Sequence, residues 1–233
     1  MSATLGVYIG IPSYDGKLHW TTMSGLVQTA RFCGEKRLSI CVDVIPGDAF
    51  IGKARDTIAA RFLKTDFEDL IFVDADVGFN LAGFSALMTA PADADIVMGL
   101  YRVKADQLRF PGLIFDPVEA HPESKRLIKM QNGPAGFMRV KRRVFEKMIE
   151  RWPDEHYSSG DLKLHNFFPC GLVDNAGTKI YKGEDILFCE RAQECGFHIW
   201  AVQDIDLDHT GPKTFEANWS VLRPVEQAQE QAA

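Results

Sequence analysis

The stretch from Leu70 to Phe79, LIFVDADVGF, runs four apolar residues directly into two carboxylates one residue apart. The apolar run predicts a buried strand. Because side chains at positions i and i+2 of an extended chain point the same way, Asp74 and Asp76 can face one ligand. Two like charges this close repel each other unless a cation or a proton lies between them. The oxygen pair suits Mg²⁺ or Mn²⁺, which bind one or two carboxylates together with substrate phosphates. A polar loop after a strand gives the same spacing, so both interpretations stay open at this point.

Outward from this stretch, the first half of the chain alternates predicted strands with predicted helices. The strands span Leu5–Ile11, Leu38–Ile45, Leu70–Val73 and Ile96–Val103, and the helices span His19–Cys33, Ala54–Leu63 and a segment from the Asn80 cap to about Ala90. This alternation predicts right-handed crossovers and a parallel sheet. In such a sheet ligands bind beyond the carboxyl ends of the strands, where Asp74 and Asp76 lie.

The second half of the chain has a less regular pattern. Short strands are predicted at Gly112–Phe115, Leu127–Met130 and Phe137–Val140, helices at Arg142–Trp152 and Glu184–Cys195, and a last strand at Phe197–Leu207. Residues 153–171, PDEHYSSGDLKLHNFFPCG, predict a long irregular loop that is a candidate mobile lid.

Composition narrows the class of protein. The 233 residues carry a net charge of −6, which argues against a sequence-independent nucleic-acid binder. The basic runs Lys141-Arg142-Arg143 and Lys36-Arg37 are interpreted as solvated helix faces. The five cysteines form no CxxC pair and predict free thiols in a reducing compartment. No signal-peptide pattern and no apolar run long enough to span a bilayer is present, so we expect a cytoplasmic protein without stable membrane insertion.

Other polar residues occur where predicted elements begin or end. Arg55 lies near the start of a predicted helix, where it can join backbone N–H groups in holding a diphosphate. Glu184 and Asp185 open a helix, where acids act as simple caps or, facing the sheet edge, as a catalytic base. His209 follows the last predicted strand, as the two aspartates follow theirs.

The order of these motifs resembles GT-A-type glycosyltransferases, most closely a bacterial and phage group related to the family 2 and Anp1-like enzymes. The resemblance rests on IPSYDGKLHW, KARDTIAARFL, LIFVDADVGF, GPAGFMRVKRRVFEKM, GEDILFCERAQECGF and DLDHTG, and covers roughly residues 6–211. It implies an α/β, Rossmann-like and mostly parallel sheet flanked by helices, with a smaller acceptor-side region in the second half. One catalytic domain over residues 1–225 is implied, with a nucleotide-sugar-binding half at 1–105 and an acceptor-side half at 106–225. Residues 226–233 are expected to form a tail.

The resemblance also implies roles for single residues on the donor side. Asp74 would contact the ribose or the metal, Asp76 would bind the metal, and His209 would complete its coordination. Arg55 would lie near the donor diphosphate. The loop that would cradle the base and ribose of the donor consists of Pro12, Ser13, Tyr14 and Asp15.

On the acceptor side, Asp185 matches the acidic residue near the acceptor hydroxyl, with Glu184 beside it. Gly133 to Phe137 matches a Gly-rich segment that faces the acceptor. The chain departs from the family pattern at Asp56, where relatives often carry Asn. Tyr14, Trp20 and Trp219 are candidates for stacking on a base or a sugar.

These features predict a Mn²⁺- or Mg²⁺-dependent glycosyltransferase that moves a sugar from a nucleoside-diphosphate sugar to a hydroxyl acceptor. The acceptor is a saccharide or, alternatively, a modified base in DNA, and inverting and retaining schemes both stay open. The rival hypotheses are a nucleotidyltransferase, a HAD-like phosphohydrolase and a catalytically silent sugar-nucleotide binder.

Overall fold

A computed structural model describes residues 4–211 and 213–218 of the chain. Trp219 and the predicted tail at 226–233 lie outside the described residues. The first half forms, in order, β1 (Gly6–Ser13), α1 (Trp20–Lys36), β2 (Ser39–Pro46), α2 (Ile51–Phe62), β3 (Asp69–Val73), β4 (Val77–Gly78), α3 (Leu81–Met88) and β5 (Ile96–Gly99).

The second half adds shorter strands and two helices. In order these are β6 (Leu113–Ile114), β7 (Ala120–His121), β8 (Ser124–Asn132), β9 (Phe137–Lys141), α4 (Arg142–Arg151), β10 (His156–Ser159), β11 (Leu162–His165), β12 (Gly171–Asn175), β13 (Thr178–Lys182), α5 (Glu184–Glu194), β14 (Ile199–Val202), β15 (Asp206–Thr210) and β16 (Thr214–Asn218). None of the helices in the described part of the chain is long and apolar enough to cross a bilayer.

A nine-stranded sheet organises the molecule in the order β2-β1-β3-β9-β5-β14-β8-β6, with β7 paired to β8. Strand β1 pairs in parallel with β2 and β3, and β14 pairs in parallel with β5. Strand β9 runs antiparallel between β3 and β5, and β8 runs antiparallel to β14. Seven strands of this sheet therefore share one direction, in agreement with the predicted mostly parallel sheet, whereas β9 at its centre and β8 are reversed.

Strand β3 is buried on both faces of this sheet. Leu70 and Phe72 belong to the apolar cluster under α2, α4 and α5, whereas Ile71 and Val73 belong to the cluster under α1 and α3. Alternate side chains of a strand point to opposite faces, so a strand covered on both sides must be apolar at every position. This burial explains the uninterrupted run before Asp74, and it fixes that residue at the carboxyl edge of the sheet.

Three predicted boundaries were wrong. Helix α1 does not end at Gly34 but continues to Lys36, and Arg37 caps it in a left-handed conformation with φ 56°. Strand β5 ends at Gly99 instead of Val103. The predicted last strand is two strands in different sheets, because β14 pairs with β5 and β8 whereas β15 pairs with β4 and β16.

The predicted irregular loop at residues 153–171 was also wrong. It contains the hairpin β10–β11, which turns at Gly160 with φ 58°, a conformation that glycine adopts without strain. A second hairpin, β12–β13, follows it and turns at Ala176 and Gly177. The second half of the chain thus carries two short antiparallel hairpins outside the main sheet.

Asp56 attaches the first hairpin to helix α2. Its carboxylate is 1% exposed and accepts a hydrogen bond from the Tyr157 hydroxyl at 2.8 Å. It also accepts the backbone N–H groups of Phe167 and Phe168, each at 3.0 Å. A buried carboxylate with three donors joins the helix, the hairpin and the segment after it.

We expect Asp56→Ala to lower the free energy of unfolding by about 3 kcal/mol or more, because each buried donor left without an acceptor costs about 1–3 kcal/mol. Asn at this position keeps one acceptor and is expected to cost less. Urea unfolding at pH 7 measures both effects. The control is Asp161→Ala, an exposed carboxylate in the turn of the same hairpin, with an expected change within about 0.5 kcal/mol. Equal losses for the two alanine variants would contradict the role given to Asp56.

The titration of Asp56 gives a separate pH test. Burial raises the pKa of this carboxyl to about 7 from its ordinary 3.8, against the Tyr157, Phe168 and Phe167 hydrogen bonds that lower it. Its contribution to stability is therefore full below about pH 4 and declines as the pH rises to about 7. The stability of the wild type relative to Asp56→Asn is expected to decline over the same interval in urea titrations from about pH 4 to 8. A pH-independent difference would contradict the shift.

Candidate active site

A cavity of about 710 Å³ opens at the carboxyl edge of the sheet. Its walls come from the loop after β1, the residues after β3 and β5, and strand β15. The predicted residues that line it are Pro12, Ser13, Tyr14, Asp15, Asp74, Asp76 and His209, and the structure adds Lys17, Leu18, His19, Ile51, Ala75 and Tyr101. Residues separated by nearly two hundred positions therefore share one wall.

The loop after β1 is held in place by its own hydrogen bonds. The Ser13 hydroxyl donates to the Lys17 carbonyl at 2.7 Å, and the Asp15 carboxylate accepts the Lys17 N–H at 3.0 Å. The loop turns at Gly16, whose φ is 72°. Tyr14 is left 72% exposed at the rim, so its ring is open to a ligand in the cavity.

Arg55 lies beneath the cavity and joins two carboxylates. Its guanidinium donates to Asp74 Oδ1 at 2.8 Å and to Glu184 Oε1 at 2.5 Å, and the residue is only 2% exposed. Burial opposes the charge, but the two carboxylates raise the pKa of Arg55 above its ordinary value. Because α2 begins at Ile51, Arg55 lies one turn into the helix, with its guanidinium bound to protein carboxylates.

Gly136 lets the site close around Asp74. The Asp74 N–H donates to the Gly136 carbonyl at 2.8 Å. A Cβ at position 136 would lie 2.5 Å from Asp74 Oδ2 and closer still to the Tyr101 hydroxyl. Burial raises the pKa of Tyr101 well above its ordinary value, and Asp74 adds to that rise, so its hydroxyl stays protonated at the centre of the carboxylates.

His209 presents a lone pair to Asp76. Its Nδ1 lies 2.8 Å from the Arg102 carbonyl, which can only accept, so Nδ1 carries the proton. Burial lowers the pKa of this histidine, which keeps the ring neutral. Nε2 then faces Asp76 Oδ1 at 3.8 Å. Two electron-pair donors face each other across a gap, an arrangement typical of ligands that share a cation.

These donors fit a metal site of two protein ligands. Among the described residues no group of three or more His, Cys, Asp or Glu side chains is arranged to hold a metal ion. Asp74 has one oxygen bound to Arg55, whereas Asp76 and His209 remain directed at each other. Mg²⁺ and Mn²⁺ commonly take one or two protein ligands and complete their shell with substrate phosphates. The metal role predicted for Asp74, Asp76 and His209 stays a prediction.

Glu184 and Asp185 begin helix α5 without a side-chain cap on its first turn. Glu184 pairs with Arg55, and Asp185 Oδ1 accepts the Ile186 N–H at 2.8 Å. Burial raises the pKa of Asp185, and the adjacent Glu184 charge raises it further, while Arg55 lowers it. A carboxylate with a raised pKa is the better proton acceptor.

A second cavity of about 470 Å³ lies on the hairpin side of Glu184. Its residues include Phe50, Asp56, Tyr157, Tyr181 and Glu184. Phe50 and Tyr181 are exposed and offer ring faces to a ligand. Ile51 lines both cavities, so the two spaces meet at the start of α2.

Sequence analysis missed Tyr101 and Lys104. Tyr101 follows strand β5 at the same edge as Asp74, but the strand predicted to reach Val103 included it, so its place at the sheet edge was not recognised. Lys104 contacts Asp76 from the loop after β5. Because the sequence predicted that the strand continues to Val103, this loop was not recognised.

The basic runs lie away from the cavity or are bound by the protein. In the β3–β9 register Lys141 lies opposite Asp69, at the end of β3 away from Asp74. Arg142 donates to four backbone carbonyls, those of Phe67, Leu63, Phe62 and Thr65. Arg143 pairs with Asp95. The interpretation of this run as a solvated helix face was therefore wrong for Arg142, whereas Arg143 is exposed on the helix as predicted.

Solved structures share this architecture, whereas no family model and no curated protein matches the sequence. Protein A197 from STIV is similar at a TM-score of 0.54 and 15% identity, over 89% of this chain and 86% of that chain. A Drosophila β1,4-galactosyltransferase 7 mutant in complex with manganese, UDP-Gal and xylobiose gives 0.46 and 12%, over 93% and 73%. S. aureus TarS in complex with UDP-GlcNAc gives 0.43 and 14%, over 86% and 56%. The chain has a GT-A-type glycosyltransferase fold, which confirms the fold prediction.

Gly136→Ala is expected to displace Asp74 or Tyr101 and to lower the free energy of unfolding by about 1–3 kcal/mol, because the added methyl group has no space. The matched control is Gly34→Ala near the end of α1, where a Cβ meets nothing within 4 Å. That change is expected to stabilise the protein by up to about 1 kcal/mol, since alanine is the better helix former. Urea unfolding measures both. A neutral Gly136→Ala would contradict the close approach.

Proposed function

We propose that this protein is a glycosyltransferase that moves a sugar from a nucleoside-diphosphate sugar to a hydroxyl acceptor with the help of Mn²⁺ or Mg²⁺. The observation that supports this best is the juxtaposition of four carboxylates and two nitrogen groups at one sheet edge. They are Asp74, Asp76, Glu184, Asp185, the Arg55 guanidinium and the His209 imidazole.

The first cavity suits the donor. The loop from Pro12 to Asp15 borders the space for a base and ribose, and Tyr14 offers an exposed ring for stacking. Asp76 and His209 would hold the divalent cation. When bound, that cation would stabilise the negative charge that develops on the departing diphosphate. Residues 1–105 would accordingly form the donor half of a catalytic domain over 1–225.

Arg55 acts in this proposal by positioning the carboxylates. Its charge is already shared between Asp74 and Glu184, so it fixes both side chains and adds positive potential behind the diphosphate. Asp74 is thereby oriented toward the ribose or the metal. This is a modified role for the arginine that sequence analysis assigned to the diphosphate itself.

Asp185 is the proposed base. As the acceptor hydroxyl attacks the anomeric carbon, its proton would pass to an Asp185 oxygen. Burial and Glu184 raise the pKa of this carboxyl, which improves it as a proton acceptor but requires a pH high enough to ionise it. Glu184 supports Asp185 through its charge and its bond to Arg55. This assignment describes an inverting scheme.

The second cavity suits a saccharide acceptor. The exposed rings of Phe50 and Tyr181 offer apolar faces on which a sugar ring can stack, and the cavity reaches Glu184. Residues 106–225 supply most of this wall. Arg142 is bound by backbone carbonyls and Arg143 pairs with Asp95, so neither guanidinium is directed at a DNA backbone and we propose a saccharide over a DNA base.

The function is tested with a panel of nucleoside-diphosphate sugars and saccharide acceptors, with release of the nucleoside diphosphate as the readout. Mn²⁺ is expected to support turnover, and Asp76→Asn is expected to abolish it. Asp185→Asn should lower turnover by about 10²- to 10⁴-fold, because a positioned base contributes that much, while nucleotide binding persists. Asp161→Asn, in an exposed turn, is the control and should retain full turnover.

Turnover should also fall as the pH drops through the raised pKa of Asp185, since the protonated carboxyl cannot accept a proton. Other products would identify the rival activities. Release of pyrophosphate from a nucleoside triphosphate and a sugar phosphate would indicate a nucleotidyltransferase, and release of inorganic phosphate would indicate a phosphohydrolase. Nucleotide binding without any product would indicate a silent binder.

A further inference from the structure

Lys104 brings an ammonium group to the carboxylate that the proposed function assigns to a divalent cation. Its Nζ donates to Asp76 Oδ2. The Lys104 side chain is 32% exposed and that of Asp76, which lines the first cavity, is 43% exposed. Both side chains can exchange partners without opening the core.

The loop that carries Lys104 has an ordered framework. Arg102 donates to the carbonyls of Ala105 at 2.9 Å and Asp106 at 2.6 Å, which draws the loop into a tight turn. The Asp106 carboxylate forms an exposed ion pair with Lys213. Lys104 is therefore presented to Asp76 by a turn that the Arg102 hydrogen bonds and this ion pair stabilise.

Gly211 leaves space for the lysine stem. A Cβ at position 211 would lie 3.1 Å from Lys104 Cδ and 3.6 Å from Cε. The stem thus passes directly over the residue that follows His209 by two positions. This path places the ammonium beside the same Asp76–His209 pair that faces the cavity.

The charges around the site explain what the lysine does there. The Arg55 charge is shared by Asp74 and Glu184, and His209 Nε2 faces Asp76 Oδ1 at 3.8 Å while its Nδ1 lies against the Arg102 carbonyl. Lys104 supplies positive charge to the other oxygen, Oδ2, of the same carboxylate. A divalent cation held by Asp76 and His209 would meet this ammonium as a like charge on a shared ligand.

We propose that Lys104 exchanges partners during the catalytic cycle: it neutralises Asp76 in the empty site, yields that carboxylate to the divalent cation, and then binds the donor diphosphate. This inference rests on the proposed function for its last step. Asp76 lines the cavity that the proposed function assigns to the donor, so the released ammonium starts beside that cavity. A flexible point charge is well suited to binding phosphate oxygens. Lys104 would thereby act as a second positive charge on the leaving group.

The exchange has a measurable cost for metal binding. A partly exposed ion pair that must open first raises the apparent dissociation constant of the competing ligand. Lys104→Met keeps most of the stem and removes the charge, so it should bind Mn²⁺ about three- to fivefold more tightly than the wild type. Lys104→Arg keeps the charge and should stay near the wild type.

The first experiment is calorimetric titration of the full chain with Mn²⁺ alone. The matched control is Lys129→Met, which removes a lysine paired with Glu119 at 2.7 Å on strand β8, outside the cavity. Its Mn²⁺ affinity should stay within about twofold of the wild type. Near-ultraviolet circular dichroism establishes that each variant is folded. Unchanged or weaker Mn²⁺ binding by Lys104→Met, or no Mn²⁺ binding by either protein, would overturn the proposal.

The second experiment titrates UDP, GDP, ADP and CDP at a Mn²⁺ concentration that saturates each variant. The nucleotide that binds best should bind Lys104→Met at least fivefold more weakly than the wild type, with Lys104→Arg intermediate or unchanged. Equal nucleotide affinity in Lys104→Met and wild type would overturn the diphosphate step. The Mn²⁺ titration uses no donor, so the exchange at Asp76 and the transferase function can fail separately.

Discussion

The buried ion triad of Arg55, Asp74 and Glu184 is the constraint on which the rest of the site depends. It joins a helix of the first half, the end of the central strand and the first turn of a helix 129 positions further along the chain. Removing one member of a buried pair leaves an uncompensated charge, which costs about 3–5 kcal/mol, so each residue requires the other two. The guanidinium thereby sets where the carboxylates of Asp74 and Glu184 lie relative to each other.

A small second sheet sets the position of His209 in the same way. Strand β15 pairs with β4, and this register places His209 opposite Val77, directly after the aspartates. The Thr210 N–H donates to the Asp76 carbonyl at 2.9 Å. Backbone hydrogen bonds hold this imidazole at Asp76, and the Arg102 carbonyl fixes its tautomer. The proposed cation site is thus prepared by main-chain geometry, with two protein ligands and space for phosphate oxygens.

The sequence predicted the parallel half of the sheet well, because doubly buried strands require apolar runs such as Leu70–Val73 and because capped helices alternate with them. It also placed Asp74 and Asp76 at the carboxyl edge of the sheet, where ligands bind. His209 reaches the same edge for another reason, because β15 pairs antiparallel with β4 in a second sheet. Sequence analysis failed where structure depends on distant partners. The hairpin at His156–His165 is stabilised by Asp56, about a hundred positions away, and no local pattern indicates that bond. The pairing of Lys104 with Asp76 likewise depends on a turn whose shape is set by Arg102 and by contacts with the chain beyond residue 210.

Strand β9 has a consequence for how the molecule can be divided. It fills the space between β3 and β5, so the two central strands of the first half never touch each other. In a fragment that stops near residue 105, the edges of β3 and β5 that pair with β9 would have no partner strand, and a gap would remain between them. Unpaired edges of apolar strands form hydrogen bonds with strands of other chains, which leads to aggregation. Residues 1–105 are therefore not an independent folding unit, because their sheet is completed by β9, which the chain supplies only after residue 136.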